Sequence, residues 1–204
     1  MPSLLRLHRD APIARLELTA PDGFPRLTAS LLRELGAALS QLLADPTCHA
    51  ILLHGSDKCF AAGAEISELT ALTGVTAVDF SRRAQLFFDR IANSPKPVVA
   101  AIRGYCLGGG LDLALACHYR LATPDAVFGH PGATLGLITG WGGTQRLPRL
   151  LGRAAALEML LLGETISAEQ ALQCGLVDEV VGADGLYARA AARVAQAAAG
   201  QSAR

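Results

Sequence analysis

The sequence predicts an α/β fold built as one domain, and three observations carry that prediction. Short apolar runs of strand length alternate with longer segments whose apolar residues recur at helical spacing. Hydrophobic side chains make up 51% of the 204 residues and aromatics only 5%, so Leu, Ala, Val and Ile must fill the core, as in a repetitive α/β interior. No linker, low-complexity block or internal repeat divides the chain, which makes one domain over residues 1–204 the economical reading.

Residues 4–8 and 13–19 alternate in polarity on either side of Arg9-Asp10-Ala11-Pro12, the pattern of an opening hairpin. Pro21, Asp22, Gly23 and Pro25 break the chain. Leu31, Leu32, Leu35, Ala38, Leu39, Leu42 and Leu43 then mark an amphipathic helix that stops at Asp45-Pro46. Residues 49–54 form a short apolar strand ending at Gly55-Ser56-Asp57. Residues 76–93 form a second long helix, with Phe80, Ala84, Phe87, Phe88 and Ile91 near one face, closed by Pro95 and Pro97. Residues 97–102 are a continuous apolar strand of the kind buried on both faces. It runs toward Gly104 and Gly108-Gly109-Gly110, on which a helix from about 109 to 116 should start. Strands at 119–122 and 126–128 flank Thr123-Pro124-Asp125. The remainder reads as helices over 143–151, 154–162 and 167–174, a strand over 177–181, and an Ala-rich helix from about 185 to 199.

Composition narrows the function classes. The 18 Lys+Arg cancel the 18 Asp+Glu, leaving no basic field for a nucleic-acid backbone, so no nucleic-acid partner is expected. The five cysteines are odd in number and never in a C-x-x-C pair, which points to neither a disulfide framework nor a zinc site. Each is expected to be a small buried hydrophobe in a reducing compartment. No stretch of about eighteen apolar residues runs uninterrupted, so no membrane partner is expected and a soluble cytoplasmic protein is the default. His and acidic residues lack metal-ligand spacing, and neither a metal nor a redox cofactor is implied.

The informative feature is a pair of segments rich in small residues, Phe60-Ala61-Ala62-Gly63-Ala64 and Tyr105-Cys106-Leu107-Gly108-Gly109-Gly110, each following one of the two apolar strands. Glycine lets a backbone come close to another group. If Gly109 opens its helix, its N–H lacks an intrahelical acceptor and the helix dipole adds partial positive charge there. Two such N–H groups converging from separate turns would make an oxyanion hole, worth roughly 10²–10³ in rate per donor. The alternative is that the glycines only let helix and strand pack closely. The spacing matches neither G-x-G-x-x-G nor a P-loop, and there is no G-x-S-x-G elbow.

Three stretches together resemble the signatures of the crotonase (enoyl-CoA hydratase/isomerase) superfamily. They are Phe60-Ala-Ala-Gly-Ala-Glu-Ile-Ser-Glu-Leu69, Val98-Val-Ala-Ala-Ile-Arg-Gly-Tyr-Cys-Leu-Gly-Gly-Gly-Leu-Asp112, and Phe128-Gly-His-Pro-Gly-Ala-Thr-Leu-Gly-Leu-Ile-Thr-Gly-Trp-Gly-Gly-Thr-Gln-Arg-Leu147. The similarity runs in order from about Leu4 to the last helix and includes Ser167-Ala-Glu-Gln-Ala-Leu-Gln-Cys-Gly-Leu-Val-Asp178. The resemblance implies a crotonase-like spiral of ββα units with two nearly perpendicular sheets, and an acyl-CoA thioester as substrate. Coenzyme A is then part of the substrate and not a separate cofactor. It also implies that the two oxyanion N–H groups fall on Ala64 and Gly109. The segment from Ala62 through Ala64, Glu65 and Ile66 to Ser67 would contact the CoA arm.

Hydratases of the family use two glutamates. The first position corresponds to Asp112, three residues after Gly109 and so one helical turn along the same face. A carboxylate there could exchange a proton with the substrate α-carbon, although Asp retracts it by about 1.3 Å relative to Glu, and a displacement near 1 Å can cost ~10²-fold. The other account of Asp112 is a helix-surface or capping residue. The second position falls on Gly132, which has no side chain to act as acid or base; losing one general catalyst typically forfeits about 10²–10⁴. His130 could substitute if its ring faced the pocket, or be a hydrogen-bonded structural residue. Glu65 and Glu68 read as solvated helix charges, Glu65 complementing the dipole. Trp141, in the glycine-rich loop from Gly140 to Thr144, either walls the acyl pocket or packs.

Family members continue into helices that pack a trimer and close the pocket. With residue 204 as the last, the expectation is a domain lacking that C-terminal segment, and a homo-oligomer, trimer or hexamer, only by resemblance. The function expected is an enoyl-CoA hydratase/isomerase type of acyl-CoA enzyme. An acyl-CoA hydrolase or decarboxylase, or a non-catalytic acyl-CoA-binding homologue, is the alternative.

Overall fold

The structure is a computed structural model that describes residues 4–202. Two strands, β1 (Leu5–Asp10) and β2 (Ile13–Leu18), pair antiparallel as the alternating pattern predicts, with Leu5 opposite Leu18 and Asp10 opposite Ile13. Helix α1 (Ala29–Ala44) buries Leu31, Leu35, Ala38, Leu39 and Leu42 along one stripe. The Thr28 side chain caps its start by accepting from the Leu31 N–H at 3.1 Å.

From β3 (Ala50–His54) onward the chain repeats one manoeuvre. It lays a strand in a large sheet, crosses into a small sheet for three residues, and returns through a helix. β3 is followed by β4 (Cys59–Ala61), then α2 (Ile66–Thr70) and α3 (Gly74–Ala92). β5 (Val98–Ile102) is followed by β6 (Tyr105–Leu107) and α4 (Gly109–Ala116), and β7 (Tyr119–Ala122) by β8 (Val127–Gly129) and a 3-10 turn, Pro131–Leu135. Then come α5 (Gly143–Leu151), α6 (Arg153–Leu162), β9 (Thr165–Ser167), α7 (Ala168–Gln173), β10 (Glu179–Val180) and α8 (Leu186–Ser202). The large sheet has the order β1-β2-β3-β5-β7-β10 and is parallel beyond the opening hairpin; the small one has the order β4-β6-β8-β9. This is the ββα spiral that the resemblance implies.

Both faces of the large sheet are covered, as the unbroken apolar strands require. Ile51 and Leu53 of β3, with Val98, Ala100 and Ile102 of β5, face the main core that holds Phe60, Phe88, Phe128 and α4. Ala50, Leu52, Val99, Ala101 and Leu121 point the other way, against Leu186, Ala190 and Val194 of α8. Helix α4 is enclosed from Gly110 to Ala116, which is why it is apolar all round instead of striped.

Several boundaries differ from those predicted. The second long helix opens two residues earlier, because Thr73 and Thr76 form a capping box before it. Residues 177–181 contribute only Glu179–Val180 to the sheet. Strands β4, β6 and β9 were not predicted, since three residues leave no periodicity to read. The cysteine expectation needs one correction: Cys48, Cys59, Cys106 and Cys117 are buried and free, but Cys174 follows α7 and is exposed.

Candidate active site

The two glycine turns meet because of strands the sequence reading passed over. The turns follow β4 and β6, not β3 and β5, and β4 and β6 are parallel neighbours, Cys59 opposite Tyr105 and Ala61 opposite Cys106. Parallel neighbours deliver their C-terminal turns side by side. The backbones touch: a Cβ built on Gly63 would lie 3.5 Å from the Gly109 nitrogen, and one on Gly109 would lie 3.4 Å from the Ala64 nitrogen.

The first turn is pinned from outside. The Ala62 N–H donates to the Pro25 carbonyl and the Leu27 N–H to the Gly63 carbonyl, both at 2.8 Å. In the second, Gly108 takes φ +52°, a conformation open to glycine, and its N–H donates to Gly129 O at 2.9 Å. That leaves Gly109 as the first residue of α4, as predicted from its turn. Among the described residues, neither the Ala64 nor the Gly109 N–H has a recorded acceptor.

Both turns open on a cavity of about 600 Å³. Of the residues singled out in the sequence, Ala62, Ala64, Ile66, Gly109, Asp112, His130, Gly132 and Trp141 line it. Leu69, Leu72, Phe80 and Leu137 make its wall largely apolar. Glu65 and Ser67 are not part of that wall. Glu65 caps α2, accepting from the Ser67 N–H at 3.3 Å and the Ser67 hydroxyl at 3.0 Å. Glu68 is no solvated charge: it reaches across to accept the Ala29 N–H at 2.9 Å, satisfying an orphan donor at the start of α1. The loop after Ala64 is thereby tied to α1.

Asp112 lies one turn beyond Gly109 and is 0% exposed, which rules out a helix-surface role. Its Oδ2 accepts from the Thr139 hydroxyl, and the Trp141 and Gly143 N–H groups face the carboxyl. A Cβ at Gly143 would strike Asp112 Oδ1, so α5 begins on a residue that leaves room for it. Burial dominates and pushes the Asp112 carboxyl up to about 7, against the opposing pull of Thr139 and the Arg146 charge. His130 is 3% exposed and its Nε2 stands 3.5 Å from Asp112 Oδ1. Among the described residues, neither of these two atoms has a hydrogen-bond partner. Burial brings the His130 ring down to about 4.

Gly132 sits in the 3-10 turn facing the cavity; a Cβ there would meet the Leu137 carbonyl oxygen at 3.4 Å and Leu137 Cβ at 3.5 Å. Trp141, 4% exposed, both walls the cavity and packs: its ring is 5.4 Å from Phe80 and 5.9 Å, edge-on, from Phe88. Its six-membered ring lies so close to Gly109 that no side chain fits there. Thr139 was missed in the sequence, where nothing distinguishes it within its loop. Among the described residues, no group of three or more His, Cys, Asp or Glu could hold a metal ion, and no helix is long and apolar enough to cross a membrane.

Comparison with known proteins matches residues 8–204 to the family model described as Enoyl-CoA hydratase/isomerase. A Bacillus subtilis (strain 168) protein named "Probable enoyl-CoA hydratase" is 47% identical over 152 residues, covering 74% of this chain. This chain spans 59% of that relative's length. The Syntrophomonas wolfei "Crotonyl-CoA hydratase" is 38% identical over 176 residues, 86% of this chain and 68% of its own. The crystal structure of an enoyl-CoA hydratase from Mycobacterium smegmatis superposes with a TM-score of 0.90 at 33% identity, covering 97% of this chain and 77% of that one.

Proposed function

The chain belongs to the enoyl-CoA hydratase/isomerase (crotonase) family, and from that premise we propose that it moves protons on acyl-CoA thioesters through an enolate held by the Ala64 and Gly109 amides. The single observation behind this proposal is the pair of N–H groups, one per turn, without an acceptor among the described residues, at the wall of an apolar cavity that also contains the buried Asp112. A thioester oxygen seated between them gains negative charge as the enolate forms. Donors aimed at developing charge in a site poor in water contribute roughly 10²–10³ in rate each. The dipole of α4 adds to this at Gly109.

Asp112 is the proton carrier. Burial holds its carboxyl at about 7, so it gives and takes a proton near neutrality, where a general acid/base works best. Ala62, Ala64 and Ile66, the residues of that segment that line the cavity, carry the CoA arm, and the apolar wall takes a hydrocarbon acyl group. With Gly132 in place of a second carboxylate, proton relocation within the substrate, as in isomerisation of a 3-enoyl to a 2-enoyl thioester, is favoured over hydration. One carrier suffices for the first, whereas the second needs a water held between two.

The test is a panel of enoyl-, malonyl-type and hydroxyacyl-CoA thioesters in D2O, read for α-deuteration and isomerisation. The expected result is exchange and isomerisation exceeding hydration, both abolished in Asp112→Asn with thioester binding retained. Binding of CoA esters with no exchange or turnover of any of them would sink the proposal.

A further inference from the structure

Resting on the reading of Asp112 as proton carrier, the geometry points to His130 as its partner: carboxyl and imidazole share one proton between Oδ1 and Nε2 and act as a single carrier. The two atoms are fully buried, 3.5 Å apart, and without any other partner among the described residues. Two lone-pair atoms left facing each other, both cut off from water, would each go unsatisfied. One proton between them answers both. Nothing else around the carboxyl can take that place, because the Thr139 hydroxyl occupies Oδ2 and Trp141 and Gly143 present only donors.

Both groups also line the cavity. Burial raises Asp112 and lowers His130, so when the pair holds its proton both groups are uncharged, with the proton on the carboxyl and Nε2 accepting. Before turnover the pair is unprotonated, a carboxylate beside a neutral imidazole, a form populated near neutrality because the carboxyl sits at about 7. The titratable and charged groups facing the pair are Arg146 on α5, which favours the carboxylate, and Cys106 on β6, whose thiol burial holds well above its ordinary range. In the forward step the Asp112 carboxylate takes the α-proton, and the electron pair of the broken C–H bond passes into the enolate. The proton is then held between Oδ1 and Nε2. Its return to the γ-carbon forms the new C–H bond and restores the carboxylate and neutral imidazole, with no co-reactant consumed.

His130→Gln keeps a hydrogen-bonding amide beside Asp112 but cannot hold a proton. It is expected to lower kcat for isomerisation by about 10²–10⁴, with KM within about threefold. A purely structural histidine would be rescued by Gln. Independently of turnover, 15N spectra of the His130 ring and 13C spectra of the Asp112 carboxyl should change in one shared pH step, and Asp112→Asn should remove that step from His130. A His130→Gln enzyme within about threefold of wild-type kcat, or a ring silent while Asp112 ionises, overturns the inference. If the wild type turns over no thioester, the functional proposal falls and the spectra alone decide the shared proton.

Discussion

Replacing Asp112 by Asn should make the protein more stable at alkaline pH and leave it about as stable at acid pH. The carboxyl is 0% exposed, and burial moves it from an ordinary value of 3.8 to about 7. Between those values the folded chain binds a proton that the unfolded chain has released, so stability falls as pH rises. The contribution is fully present below 3.8 and lost by about 7. At about 1.4 kcal/mol per tenfold step in the ionisation constant, the loss amounts to about 4 kcal/mol. Asn has the same shape and no charge to bury; its oxygen can accept from Thr139 and its amide can donate to His130 Nε2. His130 acts in the opposite sense: its ring, lowered from 6.5 to about 4, contributes stability present above 6.5 and lost as pH falls through 4. That opposition flattens the wild-type curve between pH 4 and 6.5, so the difference between the two proteins is cleanest above pH 6.5, where the imidazole is neutral in the folded and the unfolded chain alike. Urea unfolding at pH 5, 6, 7 and 8 measures that difference. It should grow with pH and level off above 7; parallel stability curves across this range would refute the burial argument.

Gly132→Glu has room at its Cβ and should raise hydration of crotonyl-CoA by at least about 10-fold, up to the 10²–10⁴ of a general catalyst. Loss of enone absorbance measures it, and no gain in a folded variant would remove position 132 from the water-activating machinery. Gly109→Ala puts a methyl group into the Trp141 ring. It should cost about 1–3 kcal/mol in stability by overpacking and about 10²–10³ in kcat by displacing one donor; unchanged turnover would dissociate that amide from the reaction. Glu68→Ala should lower stability by about 1 kcal/mol through the orphaned Ala29 N–H, read as a lower urea midpoint with unchanged slope.

What could be read from the residues was whatever has a period or a punctuation mark. The hairpin, α1, β3, β5 and the start of α4 on Gly109 all came from alternation, 3.6-residue spacing, or Pro and Gly at element ends. Asp112 was singled out by the family resemblance, and helical spacing then placed it on the face of Gly109. Strands β4 and β6 were invisible at three residues each, and they are what brings the two glycine turns together. The polar surroundings of Asp112 were equally hidden. Thr139 and His130 reach it only because the loop after β8 folds back over α4, a long-range contact with no local signature. Glu68 looked like a solvated charge because its partner, the Ala29 amide, lies 39 residues away in the chain.

The chain carries a single tryptophan, and it is Trp141, stacked against the start of α4 at the cavity wall. All indole fluorescence therefore originates beside the proposed thioester seat. An acyl chain entering that space changes the polarity around the ring, so emission wavelength and intensity report occupancy with no label attached. The same signal is blind to molecules that settle elsewhere on the surface, which makes the protein its own titration sensor for ranking acyl groups.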